Sequence, residues 1–179
     1  MRKTTSGFTI VELLIVIVVI AILTAITIVA YSGIQDRSNA AKAKAELNQL
    51  AKAMSAAKIN SGRTIVDLTS VLGANKTGTG RGCWALASGT DLAALSKTSH
   101  ACWTDYFTTL QIISTESGIN VNNLIDPWGR PYFIDQSEGE YANPCQSADR
   151  ISIYARPFVT GYNSNDVNYR IDIPFVANC

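Results

Sequence analysis

Gly7-Phe8-Thr9-Ile10-Val11-Glu12-Leu13-Leu14-Ile15-Val16-Ile17-Val18-Val19-Ile20 opens a run that stays apolar at nearly every position to Ala30. As an α-helix, residues 8–30 would span roughly 34 Å at about 1.5 Å per residue. That is enough to cross a bilayer core of about 30 Å. Arg2 and Lys3 are the charges that precede the run. By the positive-inside rule they keep the short leader in the cytoplasm and send the chain beyond Tyr31 outside.

Three readings of this segment compete. A plain single-pass anchor explains the length but not Glu12. A secretory signal cut near Thr27-Ile28-Val29-Ala30 would need an apolar core of about 7–15 residues, and this one is longer and contains a carboxylate. A filament subunit accounts for both features. A charged residue at the centre of a membrane helix costs about 2.5–3.5 kcal/mol on insertion scales, and intramembrane ionisable groups mark functional partners. Glu12 lies near the end of the run, where the cost is lower. No Lys or Arg in the run can neutralise it, so the expected partner is another molecule or a chain terminus.

The stretch Gly7-Phe8-Thr9-Ile10-Val11-Glu12-Leu13-Leu14-Ile15 resembles the class III signal of type IV prepilins and pseudopilins. That pattern is a short basic leader ending in Gly, then Phe, then a Glu five residues into the mature chain, then an apolar helix. The resemblance implies that a prepilin peptidase cuts between Gly7 and Phe8 and N-methylates Phe8. It also implies that Glu12 pairs with the Phe8 ammonium of a neighbouring subunit during assembly. The implied partners are copies of the same chain in a helical filament, an inner-membrane assembly platform, minor pilins and the membrane itself. The implied location is the bacterial inner membrane for the precursor and an extracellular pilus afterwards, serving adhesion, twitching motility or DNA uptake. The chain departs from many bacterial pilins at Ala21 and Val29, where a Gly and a helix-breaking Pro would align. Partial melting of this helix is therefore less expected.

Beyond the membrane segment the chain is rich in good helix formers to about Asn60. Ala43, Leu47, Leu50, Met54 and Ala57 recur at helical spacing. This apolar stripe predicts docking on a sheet of the same chain. Lys42, Lys44, Lys52 and Lys58 lie off the stripe. Gly33 marks an expected bend, and Asn60-Ser61-Gly62 an expected stop.

The remainder reads as a soluble head. Residues 73–82 form an expected loop, and their Gly-rich end lacks the Lys-Ser/Thr of a phosphate cradle. Asp91–Ser96 and Asp105–Ser117 are expected as short helices. Asp126-Pro127-Trp128-Gly129-Arg130-Pro131 predicts a rigid turn entering a strand at Tyr132–Asp135. It also resembles the corresponding turn of major pseudopilins of type II secretion. Ile151–Phe158 and Val167–Val176 alternate as strands. The expected fold class is α+β, one long helix on a small antiparallel sheet. The expected divisions are a leader 1–7, a membrane or filament-core helix 8–30, an amphipathic half 31–60 and a head 61–179.

Cys83, Cys102, Cys145 and Cys179 all lie in the polar part. An even count beyond an export segment favours disulfides. Three pairings exist. We expect Cys83–Cys102, closing a short local loop, and Cys145–Cys179, tying down the last residue. Pseudopilins bind calcium in a late loop, which makes Asn163, Asn165 and Asp166 weak calcium candidates through the resemblance. A single carboxylate is thin support where calcium takes about 6–8 oxygens, and no other cofactor is expected. His100 stands in a polar stretch, and no nucleophile elbow, zinc signature or nucleotide loop accompanies it. Catalysis is not expected. The formal net charge of +1 offers nothing to nucleic acid.

Overall fold

The computed structural model describes residues 7, 9–69, 80–139, 143 and 145–176. The chain divides into two compact units, Met1–Asn39 and Ala40–Cys179. Helix α1, Ile10–Ser61, begins in the first unit and ends in the second. Its helical assignment continues through Gly33.

In the first unit the side chains from Ile10 to Thr27 are all exposed. This 18-residue stretch has a mean hydropathy of 3.0 and is long and apolar enough to cross a membrane. A helix apolar on every face has no solvated side, so lipid or protein must cover it.

The second unit is α+β. The expected stripe is its spine: Ala43, Leu47, Leu50, Met54 and Ala57 are all fully buried, and Ala53 joins them. They share one core with Trp103, Tyr106, Leu110 and Ile113 of helix α4 (Ala101–Ser117) and with Tyr132, Ile134, Ile151 and Ile153 of the sheet. Trp103 stacks on Phe107 at 5.4 Å between ring centroids. Helix α1 stops where the sequence says it should. Gly62 takes a φ of +66°, and its N–H closes on the Lys58 carbonyl at 2.9 Å. A residue with a side chain is strained in that left-handed cap.

Two short helices follow, α2 (Ile65–Thr69) and α3 (Gly80–Trp84). Residues 73–79 of the expected loop lie outside the described residues, but its end is helical. The sheet is an antiparallel meander of β1 (Tyr132–Asp135), β2 (Arg150–Ile153) and β3 (Ile171–Asp172). Tyr132 faces Ile153, Asp135 faces Arg150, and Arg150 faces Asp172.

Four elements differ from the sequence reading. Asp91–Ser96 is a series of turns and not a helix. The Asp91 carboxylate accepts from the Ala93 N–H at 3.0 Å, and the Leu92 carbonyl goes to the Trp103 indole N–H at 3.0 Å. These local and tertiary bonds replace helical ones. Helix α4 starts at Ala101, earlier than Asp105, because His100 caps it: the His100 Nδ1 accepts from the Cys102 N–H at 3.1 Å. Strand β2 ends at Ile153, short of Phe158, before Pro157, which has no N–H to donate to a ladder. A bridge between Tyr154 and Asn165 replaces the missing rungs. Val167–Val176 is mostly not strand. Asp166 caps a 3₁₀ turn at Val167–Tyr169, leaving pairing to Ile171 and Asp172.

Candidate functional site

The first candidate site is the start of α1. Gly7 is exposed and has open space around it. Phe8 lies outside the described residues, as do residues 1–6. Thr9 is the cap. Its hydroxyl oxygen accepts from the Glu12 N–H at 3.2 Å. In return the Glu12 carboxylate accepts from the Thr9 N–H at 2.9 Å and from the Thr9 hydroxyl at 2.8 Å. This is a capping box, in which two residues three apart satisfy each other's orphan donors. A carboxylate there also opposes the positive end of the helix dipole.

Glu12 therefore does not stand alone in its helix. Thr9 carries no charge and does not neutralise the carboxylate, but as a hydrogen-bond partner it was not named from the sequence. The signal was legible, since Thr9-Ile10-Val11-Glu12 has capping-box spacing ahead of an apolar run. Further along, Thr24 and Thr27 donate their hydroxyls to the carbonyls of Ile20 and Leu23 at 2.7 and 3.0 Å. The polar atoms of these two threonines are thus satisfied within the helix, as a lipid or filament-core environment requires.

The basic and apolar halves of this segment decide the comparison. Residues 2–28 match the family model for the prokaryotic N-terminal methylation motif. The chain carries a class III signal. That motif is typical of type IV pilins and pseudopilins, and it points to a structural subunit of that kind. The motif implies processing by a prepilin peptidase and assembly into filaments, and with the apolar helix it fits a membrane-anchored precursor. Comparison with curated proteins and with solved structures gives no match.

The remaining expected sites lie in the second unit. Cys83 and Cys102 are joined in a disulfide that staples α3 to α4. Gly82 passes so close to α4 that a side chain there would meet the Ala101 backbone at 2.6 Å. Around the bridge lies a second small core of Leu92, Phe133, Tyr154 and Phe158. Cys145 is also disulfide-bonded. Its expected partner, Cys179, lies outside the described residues.

Of the calcium candidates, Asp166 accepts from the Asn168 N–H and side-chain amide, both at 3.0 Å. Asn165 belongs to the bridge with Tyr154, and the side chain of Asn163 lies outside the described residues. Among the described residues no group of three His, Cys, Asp or Glu side chains is placed to hold a metal ion.

The Asp126–Pro131 turn is held by a buried pair. One oxygen of Asp126 accepts from the Trp128 and Arg130 N–H groups at 3.0 and 2.8 Å. The other accepts from Arg130 Nε and Nη2 at 3.0 and 2.8 Å. The Arg156 guanidinium lies 3.5 Å above the Trp128 ring.

Lys58 lies off the apolar stripe, and the periodicity gives no sign of its burial. Only 1% of it is exposed. Its ammonium contacts Glu138, Asp149 and the Pro174 carbonyl.

Proposed function

We propose that this protein is the structural subunit of a type IV pilus. The supporting observation is Glu12 at the start of the apolar stretch Ile10–Thr27 of α1, whose side chains are all exposed. The peptidase removes residues 1–7 and methylates Phe8, and the helix stays in the bilayer until subunits pack helix against helix. In a filament core the Glu12 carboxylate loses water, and a buried charge needs a cation. The freed Phe8 ammonium of a neighbour supplies it and sets the axial stagger. Assembly draws on an inner-membrane platform and minor pilins, and the filament extends from the cell surface.

The test is Glu12→Ala. It leaves the anchor intact, so membrane blots should show processed protein at normal levels, while electron microscopy of sheared fractions should show few or no filaments. Glu12→Gln should fail alike, whereas Glu12→Asp retains the charge and should assemble in part. Normal filament yield from Glu12→Ala would refute the pairing.

The Asp126–Arg130 turn favours a second reading, a major pseudopilin of a type II secretion or competence system, because that turn resembles the one in pseudopilins. Filaments confined to the envelope at native expression would support it over the pilus.

A further inference from the structure

Lys58, Glu138 and Asp149 meet in the interior of the second unit with at most 1% of any side chain exposed. They come from three places: the last turns of α1, the turn after β1, and the residue before β2. Lys58 Nζ contacts Glu138 Oε2 and lies 3.1 Å from Asp149 Oδ2 and 2.7 Å from the Pro174 carbonyl. The other oxygens are held as well. Glu138 Oε1 accepts from the Val176 N–H at 2.8 Å, and Asp149 Oδ1 accepts from the Glu138 N–H at 2.9 Å.

One ammonium thus faces two carboxylates away from bulk solvent. Desolvating such a set is costly, and the surplus negative charge has no second cation among the described contacts. Condensation of one carboxylate with the amine removes two of the three charges. We propose that Lys58 and Glu138 are joined by an intramolecular isopeptide bond, with Asp149 as the catalytic proton carrier.

Each atom has a role. Asp149 takes a proton from the Lys58 ammonium, and the free amine attacks Glu138 Cδ. The Val176 N–H sits on Oε1, the oxygen that carries charge in the tetrahedral intermediate. Asp149 returns its proton to Oε2, takes the second proton from the nitrogen of the tetrahedral intermediate and passes it to the same oxygen. The Cδ–Oε2 bond breaks, and the oxygen leaves as water. An ammonium and a carboxylate become an amide and one water, with no change of oxidation state and Asp149 regenerated. Burial pushes the Asp149 carboxyl up from its ordinary value, which suits a group that must hold a proton in transit. The Pro174 carbonyl orients the amine, and fixed placement in a dry site supplies the proximity that amide formation in water lacks. The bond would tie α1 to the sheet across a sequence separation of 80.

The test is the mass of the full-length protein purified from membranes or filaments and reduced before measurement. Once leader removal and methylation are accounted for, the chain should be one water lighter than its sequence. Trypsin should not cut after Lys58, and fragmentation should show the Lys58 peptide branched onto Glu138. Asp149→Asn should restore full mass and cleavage after Lys58. The wild-type measurement stands even if that variant folds poorly. A full-mass reduced wild-type chain with Lys58 in a linear peptide, from a preparation whose unreduced digest shows the Cys83–Cys102 bridge, would overturn the proposal. So would a branch at Asp149, or a bond that forms normally in Asp149→Asn.

Discussion

Thr9 and Glu12 show how much one pair of side chains can carry. The Thr9 hydroxyl both accepts from the Glu12 N–H and donates to its carboxylate, so Thr9 aims the same group that the proposed assembly contact uses. Loss of an N-cap hydroxyl typically costs about 1 kcal/mol, roughly a fivefold change in a local opening equilibrium. Thr9→Val should therefore raise amide exchange at Val11, Glu12 and Leu13 by about that factor in the detergent-solubilised chain, while Thr9→Ser should exchange as the wild type does. Hydrogen-exchange mass spectrometry reads both. Unchanged exchange in Thr9→Val would mean that the capping box does not govern the start of the helix.

The element most dependent on a covalent constraint is the pair α3 and α4. Helix α3 has five residues, too few to persist alone when helix nucleation is costly. It is held by the Cys83–Cys102 bridge, by the close passage of Gly82 over Ala101, and by the Thr160 hydroxyl, which donates to the Trp84 carbonyl at 2.8 Å. With a sequence separation of 19, chain entropy assigns the bridge about 3 kcal/mol. The double variant Cys83→Ala/Cys102→Ala should lower the stability of the second unit by about that amount, seen as a lower urea midpoint. The fluorescence of Trp103, fully buried in the main core, is a suitable probe. A midpoint within error of the wild type would show that the cap at His100 and the aromatic contacts hold this corner without the bridge.

Across the whole molecule, the buried cluster makes stability depend on pH with a definite sign. Burial, the largest cause, raises the Asp149 carboxyl above its ordinary 3.8. Lys58 and the Glu138 N–H oppose that shift, and the Glu138 charge adds to it. In the unfolded chain Asp149 titrates near the ordinary value, so the folded state binds its proton more tightly. The contribution of this group is fully present below the unfolded value and is lost as pH rises through the raised folded value. Burial keeps that direction once the proposed bond has removed the Lys58 and Glu138 charges, so urea midpoints of the wild type should fall across that interval. The slope against pH, and not the level, is compared with Asp149→Asn, which lacks both this titration and the proposed cross-link. A parallel pair of pH profiles would show that Asp149 titrates alike in both states.

The local features were readable in advance because each rests on neighbours in the chain. Thr9 and Glu12 are three apart, the stripe from Ala43 to Ala57 repeats at the helical period, and Gly62 ends α1 through its own backbone freedom. Tyr132–Asp135 follows a turn whose Asp126 and Arg130 bond to each other. Such contacts form whatever the rest of the chain does. The tertiary structure decided the others. Leu92 loses its carbonyl to the indole of Trp103, which breaks a helix that composition favours. Pro157 and Asp166 turn long alternating stretches into short strands. Lys58 has a side chain that belongs in water, and periodicity places it off the apolar face. Only a fold that brings Glu138 and Asp149 to it, from sequence separations of 80 and 91, supplies the carboxylates that make burial of its charge tolerable.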